Sequence, residues 1–351
     1  MARGRPAATI KHVAADAGVS LQTVSRVINK EPNVRPEMMA RVQASIAKLG
    51  YVPSIAAQRM GGSRSYLIVA FNDRDRTIAD WRERQGRDWV DQMLLGGMLT
   101  CAKHGYRMVI ELVDTHGDHI EREMLAAIGA LRPDGVILTP PHSQNPVISA
   151  LLDEHGISFA RVGTLQAGPG FALSMDDERA ARLATEHLLS LGHRRIGFIA
   201  GPAEFELSGA RTEGWQSSMT AAGLSTEGLL GQGDFGYDSG LREAARMIDG
   251  GRRPTAIIAS NDQMAIATLA VARERGLRVP DDVSVISFDD TPVVRFADPP
   301  LAAIVQPIAE TIARAVELII AEKAGRAAPE GSVVVPSRLV LRRSTTPPGG
   351  D

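Results

Sequence analysis

A short polar stretch near the N-terminus carries side chains that suit the edges of DNA bases. The amide of Gln22 could pair with adenine, and the guanidinium of Arg26 suits the O6 and N7 acceptors of guanine. Apolar residues in the same stretch recur at helical spacing, so the polar groups would share one face of a helix over 21–29. The predicted outward face consists of Leu21, Gln22, Thr23, Ser25 and Arg26.

Two helices joined by a glycine turn must position this face. Thr9 can cap a first helix through its hydroxyl, and Gly18 suits the left-handed backbone that ends one. Ser20 would then cap the second helix, and a third helix is predicted from Pro36 to Leu49. This order is the plan of a helix-turn-helix, whose second helix enters the major groove. An αα-hairpin with a solvated polar face is the alternative.

The distribution of charge favours the DNA-binding interpretation. Residues 1–65 contain ten lysines and arginines against three acidic residues, which gives them a formal charge of +7. The rest of the 351-residue chain carries −9, although the net charge of the whole molecule is only −2. A basic N-terminal module on an acidic body is typical of a nucleic-acid-binding head, although a solvated basic surface would have the same charge.

The N-terminal motifs closely resemble the DNA-binding head of the LacI/GalR family of bacterial transcriptional regulators. The resemblance lies in the segments 9–14, 17–20, 23–29 and 49–53, and it runs without a gap. Arg35 is a departure, because many members have a serine or threonine cap there, and it could add a phosphate contact. The DNA-binding residues that we expect on this basis are Thr9, Ser20, Leu21, Gln22, Thr23, Ser25, Arg26, Asn29, Ala57 and Met60.

Residues 54–65 would connect a head at 1–53 to the body. The segment 54–60 is rich in alanine and capable of forming a helix, and a Gly-Gly-Ser sequence follows it. In the family this segment folds into a small helix in the minor groove. An apolar side chain at the position of Met60 is then inserted between base steps and kinks the duplex. A plain flexible linker is the alternative.

From residue 66 onward, predicted strands and helices alternate in two series. Alternating units imply parallel sheets flanked by helices. The fold class is therefore an all-α helix-turn-helix head plus a two-lobed α/β body over 66–343. The predicted boundaries are about 66–171 and 306–332 for lobe 1, about 172–305 and 333–343 for lobe 2, and 344–351 for a disordered Pro/Gly-rich tail.

The body resembles the periplasmic-binding-protein-like effector domain of the same family. Ligands in such α/β sheets bind beyond the carboxyl ends of the strands. By the resemblance, Arg211 holds ligand oxygens, Asn261 binds ligand hydroxyls, and Asp289 matches a ligand-binding aspartate. Phe235 stands where relatives often have an aromatic against the apolar face of the ligand. A plain helix cap is the alternative for Asn261, and ordinary packing is the alternative for Trp89. The expected effector-binding residues are Trp89, Arg211, Phe235, Asn261, Asp289 and Gln306.

Two departures from the family leave the class of ligand open. A longer charged insertion at 72–88 replaces a stretch in which relatives commonly have Asn-Pro and two aromatics. Gly163 stands where many sugar-binding relatives have an aspartate, and Arg161 is nearby in sequence. The additional arginine could favour an acidic sugar.

Catalytic, redox and membrane functions find little support in the sequence. It contains no P-loop, no Gly-x-Ser-x-Gly elbow and no His-Glu-x-x-His motif, and Cys101 is its single cysteine. No stretch has the ~18 apolar residues that a membrane span needs, and no apolar region follows the basic N-terminus as in a signal peptide. We therefore expect a cytoplasmic protein without a cofactor or a metal.

The predicted function is control of transcription by a small molecule. We expect a homodimer that binds pseudo-palindromic double-stranded operator DNA and represses a carbohydrate-catabolism operon. A sugar or sugar acid bound between the lobes would change the operator affinity, in a direction that the sequence leaves open. A solute-binding protein would share the body without the head, and an enzyme on the same scaffold would need a catalytic constellation.

Overall fold

The computed structural model describes residues 8–28, 33–51, 64–83, 87–114, 119–327, 329 and 331–349. The chain divides into two compact units, residues 1–66 and 67–351. The first unit contains the predicted head, and the second contains the predicted body.

The head is a three-helix unit with the predicted helix-turn-helix. Its helices are α1 Ile10–Ala17, α2 Leu21–Ile28 and α3 Pro36–Leu49. Gly18 ends α1 with a φ of 62°, a left-handed conformation that glycine adopts without steric cost. Arg41 of α3 donates from Nη2 to the Ala17 carbonyl at 2.6 Å, so the third helix fixes the turn between the first two.

The body consists of strands and helices in alternation. In chain order its elements are β1 Leu67–Asp73, α4 Arg74–Glu83, α5 Arg87–Lys103, β2 Arg107–Val113, α6 Ile120–Leu131, β3 Gly135–Leu138, α7 Pro146–Glu154, β4 Ser158–Val162, β5 Phe171–Ser174, α8 Asp177–Ser190, β6 Ile196–Ala200, α9 Glu206–Ala221, β7 Leu230–Gln232, α10 Tyr237–Ile248, β8 Ala256–Ala259, α11 Asp262–Glu274, β9 Ser284–Asp289, α12 Pro292–Arg295, β10 Ala302–Val305, α13 Ile308–Lys323, β11 Val333–Val334 and β12 Arg338–Val340.

These strands form two six-stranded sheets, one in each lobe. The order is β11-β5-β4-β3-β1-β2 in lobe 1 and β12-β10-β9-β8-β6-β7 in lobe 2. All pairings are parallel except that β12 runs antiparallel to β10. Every residue of β1 and of β6 is buried, as expected for parallel strands that helices cover on both faces. The predicted two-lobed α/β fold is confirmed.

The predicted lobe boundaries are wrong by a few residues. Phe171–Ser174 pairs with β4, and Val333–Val334 pairs with Phe171–Ser174, so both strands belong to lobe 1. The chain therefore crosses between the lobes after Ser174, after Val305 and after Val334. Strands of two to four residues are too short to show a hydrophobic period, which explains the error.

The charged insertion forms a helix of its own. Strand β1 extends to Asp73, whose Oδ1 accepts a hydrogen bond from the backbone N–H of Arg76 at 2.8 Å and so stabilises the first turn of α4. Helix α5 begins at Arg87. The described part of the insertion thus adds one short polar helix, residues 74–83, to lobe 1.

The disorder predicted for the C-terminal tail is wrong for residues 344–349. Ser344 is fully buried, and its hydroxyl accepts from the Ala302 N–H at 2.8 Å and donates to the Val285 carbonyl at 2.6 Å. The Thr346 carbonyl lies 2.9 Å from Nε2 of the buried His193. Polar side chains hold this segment against lobe 2, and such contacts leave no periodic signal in a Pro/Gly-rich sequence.

Replacement of Ser344 should therefore destabilise the body. Ser344→Ala leaves a buried N–H and a buried carbonyl without their partner, at a cost of about 1–3 kcal/mol for each orphaned group. The matched change Ser190→Ala removes an exposed hydroxyl of lobe 2 and should have little effect. Urea denaturation measures both variants. Equal free energies of unfolding for Ser344→Ala and the unmodified protein would contradict the structural role of the tail.

Candidate functional site

A cavity of about 590 Å³ lies between the two lobes, and all six predicted effector-binding residues line it. Its walls are formed by residues that follow the carboxyl ends of β1, β3, β8 and β9 and of the crossover strand β10. Trp89, Arg211 and Phe235 thus share one cavity with Asn261, Asp289 and Gln306. The placement agrees with the expectation that ligands of open α/β sheets bind at this edge.

Arg211 of α9 is the most deeply buried charge of the cavity. Its Nε donates to Asp177 Oδ1 at 2.8 Å, and its Nη1 donates to the Ser260 carbonyl at 2.6 Å. Both partners of the ion pair are almost inaccessible, with exposed side-chain fractions of 2% and 5%. The guanidinium carbon also lies 4.6 Å from the centre of the Phe288 ring, a cation–π distance.

Gln306 connects Arg211 to Asp289. With its amide oriented to satisfy both neighbours, Gln306 donates to Asp289 Oδ1 at 3.0 Å and accepts from Arg211 Nη2 at 3.2 Å. The amide therefore joins a cation and a carboxylate at the base of the cleft. Sugar hydroxyls, which both donate and accept hydrogen bonds, are matched by such a row of alternating donors and acceptors.

Two carboxyl groups at the end of β9 and the start of α11 have raised pKa values. Burial raises the pKa of Asp262 to about 8, and the nearby charge of Asp289 acts in the same direction. Burial raises the pKa of Asp289 to about 6, although the Arg211 guanidinium opposes this shift. Asp262 is held in place by Ser287 and by the Thr291 N–H, which donates to its Oδ2 at 2.7 Å.

Asn261 caps a helix, which is the alternative to ligand binding that the sequence left open. Its Oδ1 caps α11 by accepting from the Met264 N–H at 3.0 Å, and its Nδ2 donates to the Phe235 carbonyl at 2.7 Å. Asn261 also lines the cavity. The residue thus fixes the position of the aromatic side chain that was predicted to face the ligand.

Left-handed backbone is concentrated at this cleft. Among the described residues, four of the six non-glycine positions with positive φ lie in its wall or at the adjacent crossover, namely Asp176, Phe235, Asp289 and Asp290. Each such residue costs on the order of 1–3 kcal/mol, so the surrounding hydrogen bonds must compensate. Strain at a ligand cleft is typical of a site whose geometry is set by function.

Gly163 and Arg161 do not supply a charge to the cleft. Gly163 has a φ of 81°, and a Cβ at this position would lie 2.7 Å from Cγ of Pro140, so a side chain does not fit there. Arg161 donates to the carbonyls of Gln166 and Pro169 and is buried against that loop. It is absent from the described lining of the cavity.

The sequence did not predict that the charged insertion contributes a wall of the cavity. Arg76, Thr77, Asp80 and Glu83 of α4 all line it, at the i, i+1, i+4 and i+7 positions of one helical face. The spacing was visible in the sequence, but the face is polar throughout. Only the topology, which places α4 directly after β1, shows that it faces the cleft.

The head presents the predicted polar face on α2. Ser20 caps this helix, because its Oγ accepts from the Thr23 N–H at 3.1 Å. Leu21, Gln22 and Arg26 are exposed, whereas Thr23 and Ser25 are half-buried. Thr9 is the N-cap of α1 and donates its backbone N–H to His12 Nδ1 at 3.1 Å. The remaining predicted contacts, Asn29, Ala57 and Met60, lie outside the described residues.

Comparisons with known proteins find matches to both the head and the body. Residues 9–54 match the model of bacterial regulatory proteins of the lacI family, and residues 185–345 match a periplasmic binding protein-like domain. The transcriptional regulator CelR of Thermobifida fusca is 33% identical over 294 residues, which are 82% of this chain and 83% of CelR. The chain belongs to the LacI family.

LacI-family relatives of known structure cover nearly the whole chain. The lactose operon repressor of Escherichia coli is 29% identical over 346 residues, 97% of this chain and 91% of that protein. The lac repressor dimer bound to operator and the anti-inducer ONPF has a TM-score of 0.77 at 28% identity, covering 97% of this chain and 99% of that one. The CelR–cellobiose complex has a TM-score of 0.71 at 29% identity, with coverage of 97% and 100%.

As a member of the LacI family, the chain is a DNA-binding transcriptional regulator. The relatives named above are regulators as well. None of the helices in the described part of the chain is long and apolar enough to span a membrane.

Breaking the buried ion pair of Arg211 should destabilise the body strongly. Arg211→Met keeps much of the side-chain volume but leaves Asp177 buried without its partner, which costs about 3–5 kcal/mol. Arg182→Ala is the matched control, because it removes an exposed ion pair with Glu178 that contributes only about 0.3–0.5 kcal/mol. Urea denaturation measures both. A loss below about 1 kcal/mol in Arg211→Met would contradict the assigned role.

Proposed function

We propose that this LacI-family regulator represses a carbohydrate-catabolism operon and responds to a neutral sugar that binds between its lobes. The observation that carries this proposal is the convergence of Arg211, Gln306 and Asp289 on one cavity. The complex of CelR with cellobiose supports a sugar as the effector, and the complex of the lac repressor dimer with its operator supports DNA as the target. We also propose that the protein is not an enzyme.

The charge of the cavity favours a neutral sugar over a sugar acid. Its described lining includes nine carboxyl groups but only three arginines. Arg211 is paired with Asp177, and Arg295 is paired with Asp290, so two of these cations are already neutralised. Asp290 is neutralised in the same ion pair and the pKa of Asp262 is raised to about 8, but the other seven carboxyl groups would still repel a ligand carboxylate in a partly desolvated site. Arg161, the reason to expect an acidic sugar, is used within lobe 1.

The size of the cavity favours more than one sugar ring. A volume of about 590 Å³ corresponds to on the order of twenty water molecules at ~30 Å³ each. It also lies within the roughly 300–1,000 Å³ of pockets that bury drug-sized ligands. A disaccharide is therefore our first choice of effector, with cellobiose as the reference probe.

Repression would require two heads on one operator. The recognition helix α2 would read one half-site in the major groove, so a homodimer would read a pseudo-palindrome. An apolar face on α5 is available for dimer formation, since Leu95, Met98 and Leu99 are about half or more exposed. Effector binding would shift the lobes, and a ligand that binds the two lobe arrangements unequally changes operator affinity.

A comparison of the body alone with the full chain tests the proposal. Residues 66–351 should bind the sugar without binding DNA, whereas the full chain should bind operator DNA and change its affinity when the sugar is added. A solute-binding protein would show sugar binding without specific DNA binding in either form. Turnover of the bound sugar would favour an enzyme and overturn the proposal.

Recognition by α2 should depend on Gln22 and Arg26. Gln22→Ala or Arg26→Ala should each lose about 1–3 kcal/mol of discrimination between the operator and a scrambled duplex. Gln43→Ala removes the same amide from an exposed position of α3 and should leave discrimination unchanged. Gel-shift titration against both duplexes measures the effect. Unchanged discrimination in both α2 variants would remove this helix from base readout.

Sugar binding should weaken at acidic pH. A sugar hydroxyl donates to the ionised form of Asp289, and burial raises the pKa of this carboxyl to about 6. Protonation as the pH falls through about 6 therefore removes an acceptor, whereas binding should be strongest above this value. Calorimetric titration with cellobiose between pH 5 and 8 measures the effect.

Asp289→Asn is the control for this pH dependence. The variant keeps the shape of the side chain but does not titrate, so its affinity should be lower and nearly constant over the same range. An unchanged pH profile in Asp289→Asn would assign the titration to another group.

A further inference from the structure

The guanidinium of Arg76 reaches from lobe 1 to two aromatic rings of lobe 2. Its central carbon lies 5.1 Å from the ring centre of Phe205 and 5.5 Å from that of Phe235. The two rings are themselves 5.9 Å apart and tilted by 57°. One cation is thus within cation–π distance of both rings. Arg76 also acts electrostatically on Asp80 of lobe 1 and on Asp234 of lobe 2.

Helix α4 holds Arg76 firmly on lobe 1. Arg74 donates to both carboxylate oxygens of Glu123 in α6, at 2.5 and 3.4 Å, and to the Leu112 carbonyl at the end of β2. The Asp73 carboxylate fixes the N–H of Arg76 itself. Because the start of α4 is tied to lobe 1, the contact of Arg76 with lobe 2 connects the two lobes mechanically.

The Phe235 ring contacts both the hydrophobic core of lobe 2 and the guanidinium of Arg76. The ring is packed against the hydrophobic core of lobe 2, and its Cζ lies 2.1 Å from where a Cβ at Gly201 would be. Its backbone is held in a left-handed conformation with the carbonyl bonded to Asn261. The ring therefore cannot turn easily to offer another face to a ligand in the cavity.

We propose that Arg76 is a latch between the lobes that competes with the effector for the face of Phe235. The inference rests on the proposed function, because it takes the effector to be a sugar whose apolar ring face stacks on Phe235. The guanidinium lies against that ring and connects the two lobes. A sugar ring that binds there displaces Arg76. Because the contacts of Arg76 must then be broken, this residue lowers the affinity of the protein for the sugar.

The first test needs no ligand and uses hydrogen–deuterium exchange of the full-length protein. Arg76→Gln, a change in lobe 1, should speed the exchange of amides in lobe 2 at 203–208 and 233–236 by about two- to fivefold. Arg82→Gln removes an exposed arginine from the same helix and should leave these amides unchanged. Unchanged lobe-2 exchange in Arg76→Gln would overturn the latch.

The reciprocal change gives an independent readout. Phe205→Leu in lobe 2 should speed exchange in α4 of lobe 1, and it should add nothing in an Arg76→Gln background. Exchange in β6 and β8 serves as the check that lobe 2 remains folded. Additive effects of the two changes on α4 would show that Phe205 and Arg76 act independently, against the proposal.

The second test measures competition with cellobiose as the probe. Arg76→Gln should bind cellobiose about two- to fivefold more tightly than the unmodified protein, and Arg82→Gln should bind equally. Weaker or equal binding in Arg76→Gln would contradict displacement. If neither cellobiose nor any other sugar changes operator affinity in the unmodified protein, the proposed function fails, and the exchange experiment still decides whether the latch exists.

Discussion

The buried guanidinium of Arg211 contacts three segments that are far apart in the sequence. It binds Asp177 where α8 begins, the Ser260 carbonyl at the end of β8 and, through Gln306, the crossover that follows β10. A buried cation is costly unless its hydrogen-bonding groups are satisfied, so these contacts must form together. The relative positions of the strand ends, and hence the shape of the cleft, depend on this single group. Asp289 depends on it too, because Gln306 joins the two side chains.

Strain and burial around Arg211 give the cleft properties that a switch requires. The left-handed residues Phe235, Asp289 and Asp290 persist because buried strands and hydrogen bonds such as that of Asn261 hold them. A packed core does not deform continuously, so a rearrangement of these contacts would occur between discrete arrangements. Typical allosteric coupling of about 1–3 kcal/mol is comparable with the energy of one or two of these contacts. A ligand that replaces a few hydrogen bonds can therefore change the arrangement of the lobes.

The sequence predicted those features whose signals are local or periodic. Gly18 and Ser20 marked the turn of the head, and Asn261 and Asp289 could be placed because each lies at the end of an apolar strand. Short strands such as Phe171–Ser174 have no period to detect. The tail at Ser344 is held by side-chain hydrogen bonds to distant backbone groups, and α4 has no apolar stripe. Arg161 was the reason to consider an acidic sugar, but its partners are carbonyls of its own loop.

Fluorescence anisotropy of the full-length protein on DNA from its own promoter region tests the central claim most directly. The titration is made at several salt concentrations, with cellobiose, with a sugar acid such as glucuronate, and without either. The account predicts tight binding that resists competitor DNA and changes by about fivefold or more with the neutral sugar but not with the acid. Weak, sequence-independent and steeply salt-dependent binding that no sugar alters would contradict it.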